Sequence, residues 1–475
     1  MLEKRVAVKS TFWAGIEQYT TQGVQFLSSI VMARLLLPED YGILAMLFIF
    51  MDLSAMITDM GFTTSLIRKQ NCTKTDYSTV FYINVGISIL LYGIFCLSSS
   101  AIAKFYSQTI LQQIIPIIGT TFVLNALYAI PSTLLTKNLR FNVRAQIVIL
   151  ESILSAICGI TLAYMGYGLW ALVIQILIKS FLRLSLFSIA ASWKPGLIFS
   201  IQSLKGLYGF GSKVFGANIL FTIYQNVYSV IIGRFLSPAA LGYFTRADGY
   251  SKLIPINIST VLMKVMLPLI SKIQNNNEEL VSINKQTIVV TSFVIFPLSM
   301  FLAGAASPLI SVIITDKWLP CAPILQILCL AIMTEHIAWI NWDFILAKGH
   351  SSLVLRNRIM VCVFSIVALF IAIKFGIIWI AVAKVVSSLF TVAVSIFYLR
   401  KVLPIKYRTL AKELTTMLLT SMLLGAIIYL AFMHLSYTIL NLLIVLATVS
   451  ILYIGISKIL FCEPLTTILN LLKQK

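Results

Sequence analysis

Five basic residues stand inside stretches apolar enough to cross a bilayer, and their spacing suggests what they bind. Gln175, Lys179 and Arg183 recur at i, i+4 and i+8, which on a helix keeps three side chains within about 80° of one another and makes one cationic stripe. Lys384 lies in another such stretch, followed by Ser387, Ser388 and Thr391. A third holds Arg246, Asp248 and Lys252, where Asp248 and Lys252 are i, i+4 neighbours able to neutralise each other. Pro255 follows, removes a backbone donor and predicts a kink. Ammonium and guanidinium groups hold phosphate oxygens by charge-assisted hydrogen bonds. Lys179, Arg183, Arg246, Lys252 and Lys384 are therefore candidate ligands for an anionic substrate. The plainer alternatives are that Arg183 snorkels to the interface, that Lys179 pairs with a neighbouring helix, and that the Asp248 group is a structural ion pair.

Carboxylates in the same kind of environment suit a different task, the binding of a coupling proton or cation. Asp52 and Asp59 are seven residues apart on one helical face, as are His336 and Asp343, and Glu17 stands beside Gln18, Gln22 and Gln25. Asp52, Asp59, Asp343 and Glu17 are the ion-coupling candidates. Glu151, seven residues from Arg144, is expected to be a local or inter-helix partner. Gln18, Gln25, Asn218 and Gln225, with Gln22 and Asn226, could hydrogen-bond sugar hydroxyls, and Tyr224 and Tyr228 could stack on sugar rings. Amides also hold membrane helices together, for about 0.6 to 2 kcal/mol each. No catalytic constellation accompanies these groups. The three histidines are dispersed, there is neither a Gly-x-Ser-x-Gly elbow nor a phosphate-binding Gly-Lys-Ser/Thr loop, and the seven cysteines lack metal-ligand spacing. Neither an enzyme nor a cofactor or metal is expected.

The elements that must position these residues are helices. The 475-residue chain is 59% hydrophobic and 11% charged, with a mean hydropathy of +0.96, and apolar runs of about 20 residues recur throughout, enough to span a core of roughly 30 Å. An open sheet would leave backbone groups unpaired in lipid. The expected fold is all-α, a polytopic membrane protein of about 14 transmembrane helices. To within about four residues the spans are 12–34, 41–64, 78–103, 110–134, 145–166, 168–191, 207–233, 239–263, 286–314, 322–346, 353–374, 376–398, 413–433 and 438–460. The first carries Glu17, Gln18, Gln22 and Gln25 and lacks a small-x-small cleavage site, and is expected to be retained.

An internal repeat organises them. ARLLLPEDYG (33–42) returns as GRFLSPAALG (233–242), pairing Arg34 with Arg234, Leu36 with Leu236, Pro38 with Pro238 and Gly42 with Gly242. The same register pairs Gln25 with Gln225 and Gln18 with Asn218. Six spans per repeat, an even number, imply parallel repeats related by an axis along the membrane normal. The expected domains are an N-terminal six-helix lobe (1–191), a cytoplasmic linker (192–206), a C-terminal six-helix lobe (207–398), and a basic linker with two extra helices (399–475). Arg34 and Arg234 are expected to cap helix C-termini or anchor the interface, with gating as the alternative. With the N-terminus inside, 26 Lys and Arg fall on inner segments and only Arg34, Lys104, Arg234, Lys317 and Lys374 on outer ones, so both termini are expected in the cytoplasm. That topology, with anionic lipid headgroups as partners, accounts for the net charge of +20 and leaves no need for nucleic acid.

Several further stretches carry a family resemblance: DMGFTTSLIRK (59–69), DYSTVFYIN (76–84), GYGLWAL (166–172), LGYFTRA (241–247), LPLISKIQ (267–274), KWLPCAPILQIL (317–328) and ILAKG (345–349). Together with ARLLLPEDYG, they resemble the polysaccharide transporter branch of the multidrug/oligosaccharidyl-lipid/polysaccharide exporter superfamily, of the colanic and teichuronic acid exporter type. The resemblance implies a bacterial inner-membrane flippase of surface polysaccharide, lipopolysaccharide or O-antigen biosynthesis. Its substrate would be an undecaprenyl-diphosphate-linked oligosaccharide repeat moved by alternating access, and polysaccharide polymerase machinery would be a candidate partner. A cation-coupled drug exporter of the same superfamily is the alternative, with an acidic, aromatic cavity as its expected mark. A membrane polymerase or ligase would need a large outer loop with catalytic residues, and no loop here is long enough.

Overall fold

The structure, a computed structural model, describes the backbone of residues 2–405 and 407–460. Within that range the side chains of 2–8, 11, 210, 213–214, 217–218, 220–221, 254, 260–265, 267–269, 271–272 and 407–409 are not described. Asn218 thus lies outside the described side chains, and the C-terminal lysines outside the described residues altogether.

Every long apolar stretch becomes a helix. We number the long ones α1 (Leu2–Leu35), α2 (Pro38–Asp59), α3 (Lys74–Leu97), α4 (Leu111–Lys137), α5 (Phe141–Tyr164), α6 (Leu169–Ala191), α7 (Ile201–Phe235), α8 (Pro238–Lys272), α9 (Asn277–Gly304), α10 (Cys321–Ala347), α11 (Ser351–Ala372), α12 (Ile377–Val402), α13 (Tyr407–His434) and α14 (Ile439–Leu460). Short helices Phe62–Arg68, Ser99–Tyr106 and Ala306–Ile314 lie between them. Among the described residues eleven helices are long and apolar enough to cross a membrane. The chain is a multi-pass membrane protein.

Helix ends explain where the expected spans needed correction. The span 41–64 is broken, because α2 stops at Asp59 and Met60 and Gly61 take left-handed φ of 41° and 75° before Phe62–Arg68 begins. Likewise 78–103 divides after Leu97 and 286–314 after Gly304. Window hydropathy cannot see a turn made of apolar residues. In the other direction, α8 runs to Lys272 and α9 begins at Asn277, nine residues beyond each expected edge, because these ends are polar. Starts are well marked. At α3, Thr73 Oγ1 accepts from Asp76 N at 3.2 Å while Asp76 Oδ2 accepts from Thr73 N at 2.9 Å, a capping box.

Packing divides the chain into two compact units, Met1–Gly242 and Tyr243–Lys475. In the first, α5 packs on α1 and α6, α4 on α3 and α6, and α7 on α2. By sequence α7 opens the second repeat, yet it lies along α2: Gly61 meets Gly211 so closely that a Cβ on Gly61 would stand 2.9 Å from the Gly211 Cα. Further along, Asn226 donates to Asp52 Oδ2 at 2.9 Å. In the second unit α10 packs on α9 and α12, and α11 on α12. The pairs α3–α4, α4–α6 and α5–α6 therefore recur six helices later as α9–α10, α10–α12 and α11–α12, the duplication seen in the sequence. The last two helices lean on α9. Gly304 and Gly425 bring α13 against it, and Tyr453 of α14 donates to Phe293 O at 2.6 Å.

Candidate functional site

The first charged cluster is built by α1, α5 and α6, with Glu151 and Lys179 near the middle of their helices and Arg144 in the first turn of α5. Small residues let these helices approach. A Cβ on Gly159 of α5 would lie 2.8 Å from Gln175 Cδ of α6, and Gln175 reaches on to Ser28 Oγ of α1 at 3.4 Å. Two helical turns further, Arg183 Nε donates to Glu151 Oε2 at 2.6 Å, with the carboxylate fully buried. Arg183 Nη1 also reaches the Tyr128 hydroxyl at 3.4 Å. Arg144 pairs with Glu17 at 3.4 Å. Lys179 lies in the field of both Arg183 and Glu151, half-buried, and makes no ion pair within 4 Å among the described residues. Five charged groups thus share one place, three basic and two acidic.

This arrangement refines the sequence reading. Glu151 does not pair with Arg144 on its own helix face; it takes Arg183 from α6, and Arg144 takes Glu17 from α1. Gln175 of the cationic stripe serves helix packing, and Arg183 is engaged by a carboxylate. Lys179 is the member of the stripe left available to a ligand.

The second cluster belongs to α8, α10 and α12. Asp248 bridges two lysines, Lys252 one turn on at 2.6 Å and Lys384 of α12. The expected i, i+4 pair is present and Lys384 joins it. Glu335 of α10 lies in the field of Lys384, Lys252 and Asp248, which makes two acids and two bases. Just beyond, the Thr334 and Ser388 hydroxyls meet at 2.9 Å and tie α10 to α12. Arg246 points elsewhere, over the Trp318 ring at 5.7 Å. Glu335 escaped the sequence reading because no charged residue stands three or four positions from it; only tertiary packing supplies its neighbours.

The remaining candidates scatter. Asp59 accepts from Thr63 N at 3.1 Å and from its hydroxyl, so it caps Phe62–Arg68. Asp52 is held by Asn226, Glu17 by Arg144, and Asp343 lies in the field of Arg358. His336 is wholly buried between Ser292 Oγ at 2.9 Å and Met333 O at 2.6 Å. Gln25 and Gln225 are exposed and Gln18 half-buried. Arg234 ends α7 with its guanidinium on Phe105 O at 2.5 Å and over that ring at 5.2 Å. Among the described residues no group of three or more His, Cys, Asp or Glu side chains could hold a metal.

A duplicated membrane bundle with charged clusters in mid-helix is the frame in which the comparisons with known proteins fall. Residues 31–323, more than half of the chain, match the family described as polysaccharide biosynthesis protein. The chain belongs to that family. It is 25% identical over 304 residues to teichuronic acid biosynthesis protein TuaB of Bacillus subtilis, covering 63% of this chain and 62% of that one. To succinoglycan biosynthesis transport protein ExoT of Rhizobium meliloti it is 23% identical, covering 69% and 66%. The matches thus span slightly under two thirds of these relatives' lengths. Among solved structures, lipid II flippase MurJ in an inward closed conformation superposes with a TM-score of 0.77 at 16% identity, over 95% of this chain and 99% of that one; the fold is shared. The polysaccharide-transporter resemblance of the sequence is borne out. The chain is thus a multi-pass membrane protein of the polysaccharide biosynthesis family, with bacterial relatives.

Proposed function

We propose that this protein is a flippase that carries undecaprenyl-diphosphate-linked oligosaccharide repeats from the inner to the outer leaflet of the bacterial inner membrane by alternating access. All fourteen long helices cross the bilayer, as two six-helix lobes and a C-terminal pair, with both termini in the cytoplasm. The observation that carries this reading is Lys179. An ammonium group in mid-helix, beside a Glu151 carboxylate whose charge is already matched by Arg183, is a surplus positive charge where lipid would exclude one. A diphosphate headgroup supplies the missing anion and explains why the cluster is not balanced from within. The drug-exporter alternative, with its cationic cargo, would favour the opposite surplus. The second cluster, with Lys252 and Lys384 shared by Asp248, is a second phosphate station, where an incoming anion competes with the carboxylate for the lysines. Exposed Gln25 and Gln225 are candidate contacts for the sugars.

Lys179→Gln tests the assignment because it removes the surplus charge and orphans no carboxylate. Losing one phosphate contact removes about 1.5 to 3 kcal/mol, one to two decades of binding. Surface polysaccharide should fall and lipid-linked repeats accumulate in the cytoplasmic leaflet, with the protein at normal abundance. Normal export would sink the assignment of Lys179. A reporter fused after Lys475 that is active only in the periplasm should stay silent, and activity there would overturn the orientation.

A further inference from the structure

The duplicated Pro-x-x-x-Gly turns meet each other. Pro38 opens α2 and Pro238 opens α8, each at the first helical position, where a missing N–H costs nothing and a fixed φ favours the turn. The two starts are capped differently, by the Asp40 carboxylate on Leu37 N at 2.9 Å and by the Ser237 hydroxyl on Ala240 N at 3.1 Å. What the repeats share is the glycine. A Cβ on Gly42 would overlap the Pro238 carbonyl and stand 3.0 Å from its Cα, and a Cβ on Gly242 would overlap the Pro38 carbonyl, 2.8 Å from its carbon. Each glycine therefore receives the other turn's first carbonyl, a reciprocal contact of the kind a two-fold axis produces. No side chain larger than hydrogen fits at either position.

The surroundings form a dry plug. Met32, Ala33, Leu36, Met46, Ile232 and Leu241 are each at most 2% exposed. Gly233 lies against Met46 and Tyr106, where a Cβ would come within 3.0 and 3.2 Å, and Arg234 clamps Phe105 at the rim. α1 and α7 both end here, at the end of the bundle opposite the N-terminus. Contact through backbone over glycine has no interlocking side chains to disengage, which suits a surface that must repeatedly part and rejoin.

We propose that the Pro38–Gly42 and Pro238–Gly242 turns are the outer gate, sealing that end when they touch and releasing substrate when they separate. The proposal rests on the alternating-access reading, while its test needs no substrate. A thiol placed at Met46, just under the contact, is labelled by an impermeant maleimide added from outside, and its rate is compared with the same chain lacking the new thiol. In the parent background labelling should be slow. Gly42→Leu with Gly242→Leu should raise the rate about tenfold or more, because overpacking of that size shifts a closed state toward an open one. Gly42→Ala and Gly242→Ala singly should lie between, and they carry the test if the double leucine variant fails to insert. Gly86→Leu, at a glycine of α3 whose Cβ would meet nothing within 4 Å, should change nothing. Unchanged labelling in stable Gly42 and Gly242 variants, or an equal rise in Gly86→Leu, would overturn the gate. Faster labelling with unimpaired polysaccharide export would keep the seal and remove its role in transport.

Discussion

The two charged clusters use the same residue types to different ends. Around Glu151 the acids are each taken by an arginine, at 2.6 Å from Arg183 and 3.4 Å from Arg144, and Lys179 is left over. Around Asp248 a single carboxylate serves two lysines while Glu335 lies close by, so that charge sums to zero. Arginine, with its planar fork and fixed charge, suits a permanent buried pair. Lysine, a point charge on a flexible stem, can change partners. The first cluster thus has a rigid frame with one unspent charge, and the second is a set of exchangeable contacts. An anion would add to the first and would have to displace something in the second.

The largest expected effect tests the rigid frame. Arg183→Gln leaves the fully buried Glu151 carboxylate without its cation, which costs about 3 to 5 kcal/mol. Its abundance and thermal midpoint should fall sharply. Arg183→Gln with Glu151→Gln removes both charges and should recover most of the loss. If the single variant is as stable as the parent, the pair is not structural and Arg183 returns to the set of substrate ligands. Lys179→Gln, by contrast, should leave stability intact and lower transport by the one to two decades given above.

A smaller effect is expected in the exchangeable cluster. Asp248→Asn frees both lysines from their shared carboxylate, and Lys384→Gln removes one of them; each should cost about 1 to 3 kcal/mol of stability. The double variant should cost less than the sum, with a coupling of roughly 0.5 to 3 kcal/mol. Strict additivity in thermal unfolding would mean that the two groups do not interact and would dissolve the contrast between the clusters. Glu335→Gln turns the balanced set into one with a surplus cation, like the first. It should bind phosphate-bearing lipid more tightly and release it more slowly, measurable as a lower transport rate at saturating substrate.

How much of this the sequence disclosed depended on whether the information was local. The fourteen long helices follow from hydropathy, and the Pro-x-x-x-Gly repeat is visible because both copies keep the proline and glycine that their mutual contact demands. Asp248 with Lys252 was legible as an i, i+4 pair. Arg183 was not legible as a partner of Glu151, since helical register places it with Lys179 and says nothing of α5. The same holds for Lys384, 136 positions from Asp248. Glu335 was invisible for the same reason, and Asp59 looked like a mid-span carboxylate until the break at Met60 and Gly61 made it a cap. Charge choice across helices is a tertiary fact, and spacing along one helix cannot carry it.

The smallest effect comes from an ion pair of the same length in another setting. Lys285 of α9 and Glu413 of α13 meet at 2.7 Å, with side chains 42% and 38% exposed, whereas Arg183 and Glu151 meet at 2.6 Å with exposures of 29% and 0%. Distance hardly distinguishes them. What differs is the alternative each group has when its partner is gone. Glu413 can turn to water, and the attraction it loses was already screened, so an exposed pair of this kind contributes about 0 to 1 kcal/mol. Glu151 has no such recourse. Lys285→Gln should therefore shift the thermal midpoint only slightly, leave α13 docked through its Gly304–Gly425 contact, and show a dependence on salt that Arg183→Gln does not. A loss from Lys285→Gln comparable with that from Arg183→Gln would mean that burial is not what separates the two pairs, and that α13 is held to α9 by charge rather than by close helix packing.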